Sequence, residues 1–132
     1  MALAQLQEGV LRIGTSALPY YTLPVTAAQT STDAYVEVVG SAADLGPFDI
    51  AAITCVCATK AVTVKLQGAN FSDFRDAADV AEQALAIGET KTLLPNTFGT
   101  VSQRYLRAVV KSTVAGQHGT VTAQGVVKRS LR

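Results

Sequence analysis

The sequence has no tryptophan, one histidine and two cysteines, and only 16% of its 132 residues are charged. Each shortage removes a class of function. With His118 as the single imidazole, any Ser–His–Asp or Cys–His device must use it. It lies between Gln117 and Gly119, in a segment that reads as a solvated loop. Neither a nucleophile elbow nor a phosphate-cradling glycine loop is present, so no enzymatic activity is expected. Without tryptophan, the aromatic platforms on which sugars stack would have to come from Tyr20, Tyr21, Tyr35 and Tyr105. Cys55 and Cys57 stand two apart in an apolar run. On a strand both point to the same face, a poor geometry for a mutual disulfide. A metal site would need further ligands. Both read as small buried hydrophobes, and neither a metal nor another cofactor is expected.

Long apolar runs are also missing. The longest, Ile50 to Ala58, spans nine residues and contains Thr54. That is about half of what a membrane-spanning helix needs, so no membrane partner is expected. The first residues, MALAQLQEGV, lack the basic start and apolar stretch of a signal peptide. Together with free thiols, this points to synthesis in a reducing cytoplasm. The net charge of +1 lacks the basic excess that phosphate binding uses, so no direct nucleic-acid partner is expected.

The charge that is present is segregated. Residues 1–90 hold all ten acids against four bases, a net of −6. Residues 91–132 hold seven bases and no acid. Two arrangements account for this: basic C-terminal strands lying beside acidic segments of the same fold, or a basic face meeting an acidic partner. Asp73, Asp76 and Asp79 recur every third residue, but a calcium loop would need a denser oxygen-donor pattern, so a solvated acidic loop is the simpler reading.

The residue pattern is that of short strands. Leu3, Leu6, Val10 and Ile13 have helical spacing, with Gly9 against it, so residues 1–33 read as an extended or short-helical arm. Residues 13–32 carry no charge and include Pro19 and Pro24, which suit an extended or edge segment, tied to its own sheet or laid on a neighbour. From residue 34 onward period-two alternation dominates. Tyr35, Glu37 and Val39 alternate with Val36 and Val38; Val62, Val64 and Leu66 alternate with Thr63, Lys65 and Gln67. Ile50 to Cys57 is continuously apolar, as in a strand buried on both sides. In the last third, Leu106, Ala108, Val110 and Val114 share one face, and Tyr105, Arg107, Val109, Lys111 and Thr113 the other. The link 115–119, with two glycines, suggests a hairpin returning through Val121, Ala123, Gly125 and Val127. The expected architecture is all-β: a two-sheet antiparallel sandwich of jelly-roll or Greek-key topology over 34–132, preceded by the arm.

Several segments, in order, carry a family likeness. They are AVTVKLQGANFSDFRDA, the Leu93–Leu94–Pro95 turn and QRYLRAVVKSTVAGQHGTVTAQGVV. This succession, over residues 34–128, resembles the small capsid cement (decoration) proteins of tailed phages, of the Bordetella-phage-like family. The matching residues are Val62–Gln67, Phe71–Phe74, Arg104–Arg107 and Gly116–Val127. The resemblance implies a non-enzymatic jelly-roll protein made in the host bacterial cytoplasm. It would sit on the outside of the virion shell as a homo-oligomer, a dimer or trimer, bridging major capsid protein subunits. Arg104, Arg107 and Lys111 are then candidates for polar contacts, and Tyr20, Tyr21 and Tyr105 for aromatic ones, since Arg and aromatics dominate interface energetics. Other readings are a sugar- or receptor-binding sandwich, or another head or tail subunit.

Overall fold

A computed structural model of the chain describes residues 3, 7–13, 16–46, 48–95 and 101–128. Its strands are β1 (Gln7–Ile13), β2 (Ser16–Leu23), β3 (Gln29–Thr30), β4 (Val36–Glu37), β5 (Ala43–Asp44), β6 (Ile50–Ala58), β7 (Val62–Ala69), β8 (Ala78–Leu85), β9 (Thr90–Leu93), β10 (Tyr105–Ser112) and β11 (Thr120–Lys128). Among the described residues there is no helix, and so none long and apolar enough to cross a membrane. The protein is all-β.

Two antiparallel sheets pack face to face. The first runs β1-β2-β11-β6-β9, with β3 also on β11; the second runs β4-β10-β7-β8, with β5 also on β10. Alternation explains the packing: one face of each long strand is apolar, and the two apolar faces bury one another. From the first sheet come Ala51, Ile53, Cys55, Cys57, Leu93, Val121, Ala123 and Val127. They meet Val62, Val64, Leu66, Leu85, Leu106, Ala108 and Val110 of the second. Both cysteines are buried free thiols within this core. Burial pushes the Cys55 thiol up to about 12.

Four details differ from the sequence expectations. The first is the short-helical alternative for the start of the chain: residues 7–13 take the extended one, as a strand paired with β2. β2 in turn pairs with β11 from Tyr20 to Leu23. Pro19 and Pro24 flank that four-residue ladder, so neither removes a donor from it. Downstream, the Thr26 N–H donates to the Ala123 carbonyl, and Thr26 Oγ1 accepts the Ala123 N–H.

The second is the segment after β10. β10 and β11 belong to different sheets, so residues 113–119 form an arch across the sandwich, not a hairpin. Gly119 fits there because a Cβ would collide with the Lys60 carbonyl. Two strands, each with one apolar face, fit an arch as well as a hairpin; the alternation is the same in both. The third is Val114, which lies beyond the end of β10 and is exposed. The fourth is β6, which is buried on one face only; Ala52, Thr54 and Val56 face outward.

Candidate binding surfaces

The two outer faces of the sandwich differ in chemistry. On the second sheet, the outward residues of β10 and β7 bring together side chains from distant parts of the chain. Arg107 donates from Nε and Nη2 to Gln67 Oε1 at 3.0 and 2.9 Å, and from Nη1 to Glu37 Oε1 at 3.2 Å. Lys65 Nζ lies 2.9 Å from Asp79 Oδ2, and Gln67 Nε2 donates to Asp79 Oδ1 at 3.0 Å. Hydrogen bonds from Gln67, and then from Lys65, hold the Asp79 carboxyl below its ordinary range. The Tyr35 ring is met by both Lys65 and Lys111, whose Nζ atoms are 4.4 and 5.1 Å from its centroid. Val109 is buried without joining the core; its register partners are Glu37 and Lys65. At the strand's start, Arg104 Nε and Nη2 grip both oxygens of Asp44 at 3.0 and 2.9 Å, which lowers the Asp44 carboxyl.

Beside this start lies the connection from β7 to β8. Asp76 accepts the backbone N–H groups of Asn70 and Phe71, and Asp73 accepts that of Arg75, so the loop is tied by its own carboxylates. Phe74, in the left-handed region at φ 57, turns inward and packs with Ala42 and Ala69. Its ring meets Tyr105 edge-on, centroids 6.3 Å apart, and the Arg107 guanidinium lies 4.5 Å from it. Phe71 points out, 44% exposed, with the Arg75 guanidinium stacked 3.6 Å above its ring. One end of the second sheet therefore carries Arg75, Arg104, Arg107, Phe71 and Tyr105 together, over a buried Phe74.

The outer face of the first sheet is different. Its rows run Thr22–Val126–Ala52, Gln124–Thr54–Thr92, Thr122–Val56–Thr90 and Thr30–Thr120–Ala58. None of these positions bears a charge. Thr54 and Thr92 share a 2.8 Å hydroxyl hydrogen bond across the strands. Where the chain turns away at Pro24, a hollow of about 420 Å³ opens, lined by Thr22, Pro24, Val25, Ala52, Thr54, Gln124 and Val126 among others.

The candidate residues divide accordingly. Arg104, Arg107 and Tyr105 converge at the arginine–aromatic end. Arg107 is largely engaged within its own subunit, and Arg104, though paired, is exposed. Lys111 stands apart from them, beside Tyr35. Tyr20 and Tyr21 lie on β2 opposite Lys128 and Val127; their side chains lie outside the described residues. Sequence reasoning missed Arg75 and Asp44. The signal for Arg75 was its place four residues after Phe71, next to the Phe71–Phe74 segment that carries part of the family likeness.

The three acids Asp73, Asp76 and Asp79 diverge to separate partners. No cluster of potential metal ligands occurs among the described residues. The segregation of charge along the sequence becomes pairing in space, through Arg104–Asp44 and Arg107–Glu37. His118 is exposed and its Nδ1 lies 2.8 Å from Ser112 Oγ. Ser112 in turn bonds buried Ser31, which accepts the Gly119 N–H. Among the described residues no carboxylate hydrogen-bonds to the ring.

No protein-family model and no curated protein matches the chain. Among solved structures it is similar to one titled "Crystal structure of PirA", with a TM-score of 0.52 and 16% identity over 74% of this chain and 89% of that one. Another is titled "Bacillus endospore appendages form a novel family of disulfide-linked pili", with a TM-score of 0.49 and 15% identity over 98% of this chain and 96% of that one. The likeness to the first is one of fold: two packed β-sheets.

Proposed function

We propose that the protein is a structural subunit of a tailed-phage virion, a capsid cement protein that binds the outside of the shell and bridges major capsid protein subunits. The observation that carries this reading is the arginine–aromatic end of the second sheet. It offers an exposed Phe71 under a stacked guanidinium, flanked by exposed Arg104, on a loop fixed by three carboxylate-to-backbone bonds from Asp76 and one from Asp73. Arginine and aromatic side chains on a pre-organised support are the residue types that concentrate binding energy at protein interfaces.

The topology supports the same family likeness. The order β2/β3-β11-β6-β9 over β4/β5-β10-β7-β8 sends the chain from one sheet to the other at β3–β4, β5–β6, β6–β7, β8–β9, β9–β10 and β10–β11. That alternation supports the jelly-roll wiring the resemblance implies. Cementing is then a matter of differential affinity. A subunit that binds only where two capsid subunits lie side by side stabilises that arrangement by the free energy of its contacts. Many copies on one shell add their contributions.

Co-sedimentation with empty, mature tailed-phage shells tests this reading. The wild-type chain should bind saturably, and Phe71→Ala combined with Arg75→Ala should lower affinity at least tenfold while leaving the urea midpoint unchanged. Equal binding by that variant moves the contact elsewhere; failure of the wild type to bind any such shell refutes the reading.

A further inference from the structure

We infer that His118 is an acid-sensitive latch: its neutral ring completes a one-way hydrogen-bond chain that clasps the 113–119 arch to the segment after β3, and protonation of the ring breaks that chain. Three side chains meet at the root of the arch. Ser31 Oγ lies 2.8 Å from Ser112 Oγ, and Ser112 Oγ lies 2.8 Å from His118 Nδ1. The Gly119 N–H donates to Ser31 Oγ at 2.9 Å, and the Ser31 N–H donates back to the Gly119 carbonyl at 2.7 Å. Ser31 and Ser112 are only 1% and 4% exposed, whereas His118 is open to solvent.

Each serine hydroxyl has one proton to place. Among the described residues the Ser31 proton has one acceptor, Ser112 Oγ, because its other neighbour is the Gly119 N–H donor. The Ser112 proton is then left with His118 Nδ1. Nδ1 must therefore be bare, which fixes the neutral ring as the Nε2–H tautomer. In that state every donor of the chain is paired. A protonated ring carries a proton on Nδ1 as well. It then points a donor at Ser112, and one of the two buried hydroxyl protons loses its acceptor. If the exposed ring swings out to water instead, the Ser112 proton is the one left over. Either way the clasp at Gly119 weakens, and with it the link between β10 and β11 across the sandwich. The charged groups of the surrounding elements have their own places. Asp33, after β3, accepts the Gly116 N–H at 2.8 Å. Lys111 on β10 faces the Tyr35 ring, and Lys60 of the β6–β7 turn meets Gly119 through its backbone carbonyl. Among the described residues no ion pair includes the imidazole.

Because His118 is the single histidine, NMR reads it without ambiguity. Imidazole nitrogen shifts of the full chain at about pH 7.5 should show a bare Nδ1 and a protonated Nε2. Amide hydrogen exchange, corrected for the intrinsic rate, then reads the clasp. Protection of the Gly119 amide should fall about fivefold between about pH 7.5 and 5.5, a window that brackets the ordinary histidine range and stays above the carboxylates. The Val64 and Val110 amides, inside the second sheet, should keep theirs. In His118→Gln, shown to be folded by far-UV circular dichroism, the pH step at Gly119 should vanish. A neutral ring protonated on Nδ1 overturns the inference. So does equal Gly119 protection at the two pH values, or a pH step that persists in the folded variant. The first two measurements use the wild-type chain, so they decide the matter even if the variant does not fold. None of them involves a shell, and their outcome is separate from that of shell binding.

Discussion

Truncating Arg107 to alanine removes the side chain that ties three parts of the second sheet together. Its guanidinium serves Gln67 on β7, Glu37 on β4 and the Phe74 ring of the following loop. The fork onto the Gln67 carbonyl is a charge-assisted hydrogen bond worth roughly 1.5 kcal/mol. The contact with the Phe74 ring adds about 0.5–1 kcal/mol. The Arg107 and Glu37 side chains are 21% and 24% exposed, so the ion pair is partly screened and adds at most about 1 kcal/mol. One group makes all three contacts, so they do not sum; a loss of about 2 kcal/mol is the working figure. In urea this should lower the midpoint by roughly 1 M at unchanged slope, and Tm by about 6 °C. Arg107→Lys should recover less than half of the loss, because an ammonium cannot fork onto the Gln67 oxygen. A loss below about 0.5 kcal/mol for Arg107→Ala would refute the idea that Arg107 organises this end.

Two further perturbations have clear signs. Thr59, a β-branched residue, sits at φ 72 on an exposed turn; Thr59→Gly should raise stability by about 0.5–1 kcal/mol in urea titration, strain relief exceeding the entropy cost of glycine. The Asp44 and Asp79 carboxyls are lowered from 3.8 by their partners Arg104 and Gln67 with Lys65; the stability they contribute is present above that value and is lost as pH falls through their lower folded values. The urea midpoint should therefore drop between about pH 5 and pH 2, and the double variant Asp44→Asn, Asp79→Asn should flatten that part of the curve.

Much of the strand inventory was legible because the core is one-sided. Val62, Val64 and Leu66, and Leu106, Ala108 and Val110, face inward as their alternation requires. What alternation does not encode is the partner. β10 shows the same inward set whether β11 lies beside it or across from it, and the choice of an arch depends on long-range pairing of β11 with β6. The reading of β6 failed for a related reason. An outward face made of Ala52, Thr54 and Val56 looks like an inward one when charge is the only marker of solvent. The low charge content thus has a location, the outer face of the first sheet. Part of the charge segregated along the chain is paired in the fold, because the strands bring the late bases Arg104 and Arg107 to the early acids Asp44 and Glu37. The loop anchors Phe71 and Phe74 were visible in the sequence, but that one turns in and the other out depends on the left-handed turn at Phe74.

The claim that matters most is that the protein cements a shell. The direct measurement is the temperature at which empty, mature tailed-phage shells come apart, with and without a saturating amount of the chain. The account predicts a rise with the wild-type protein and a smaller one with the Phe71→Ala, Arg75→Ala variant at the same concentration. Binding of the wild type with an unchanged disruption temperature would contradict it.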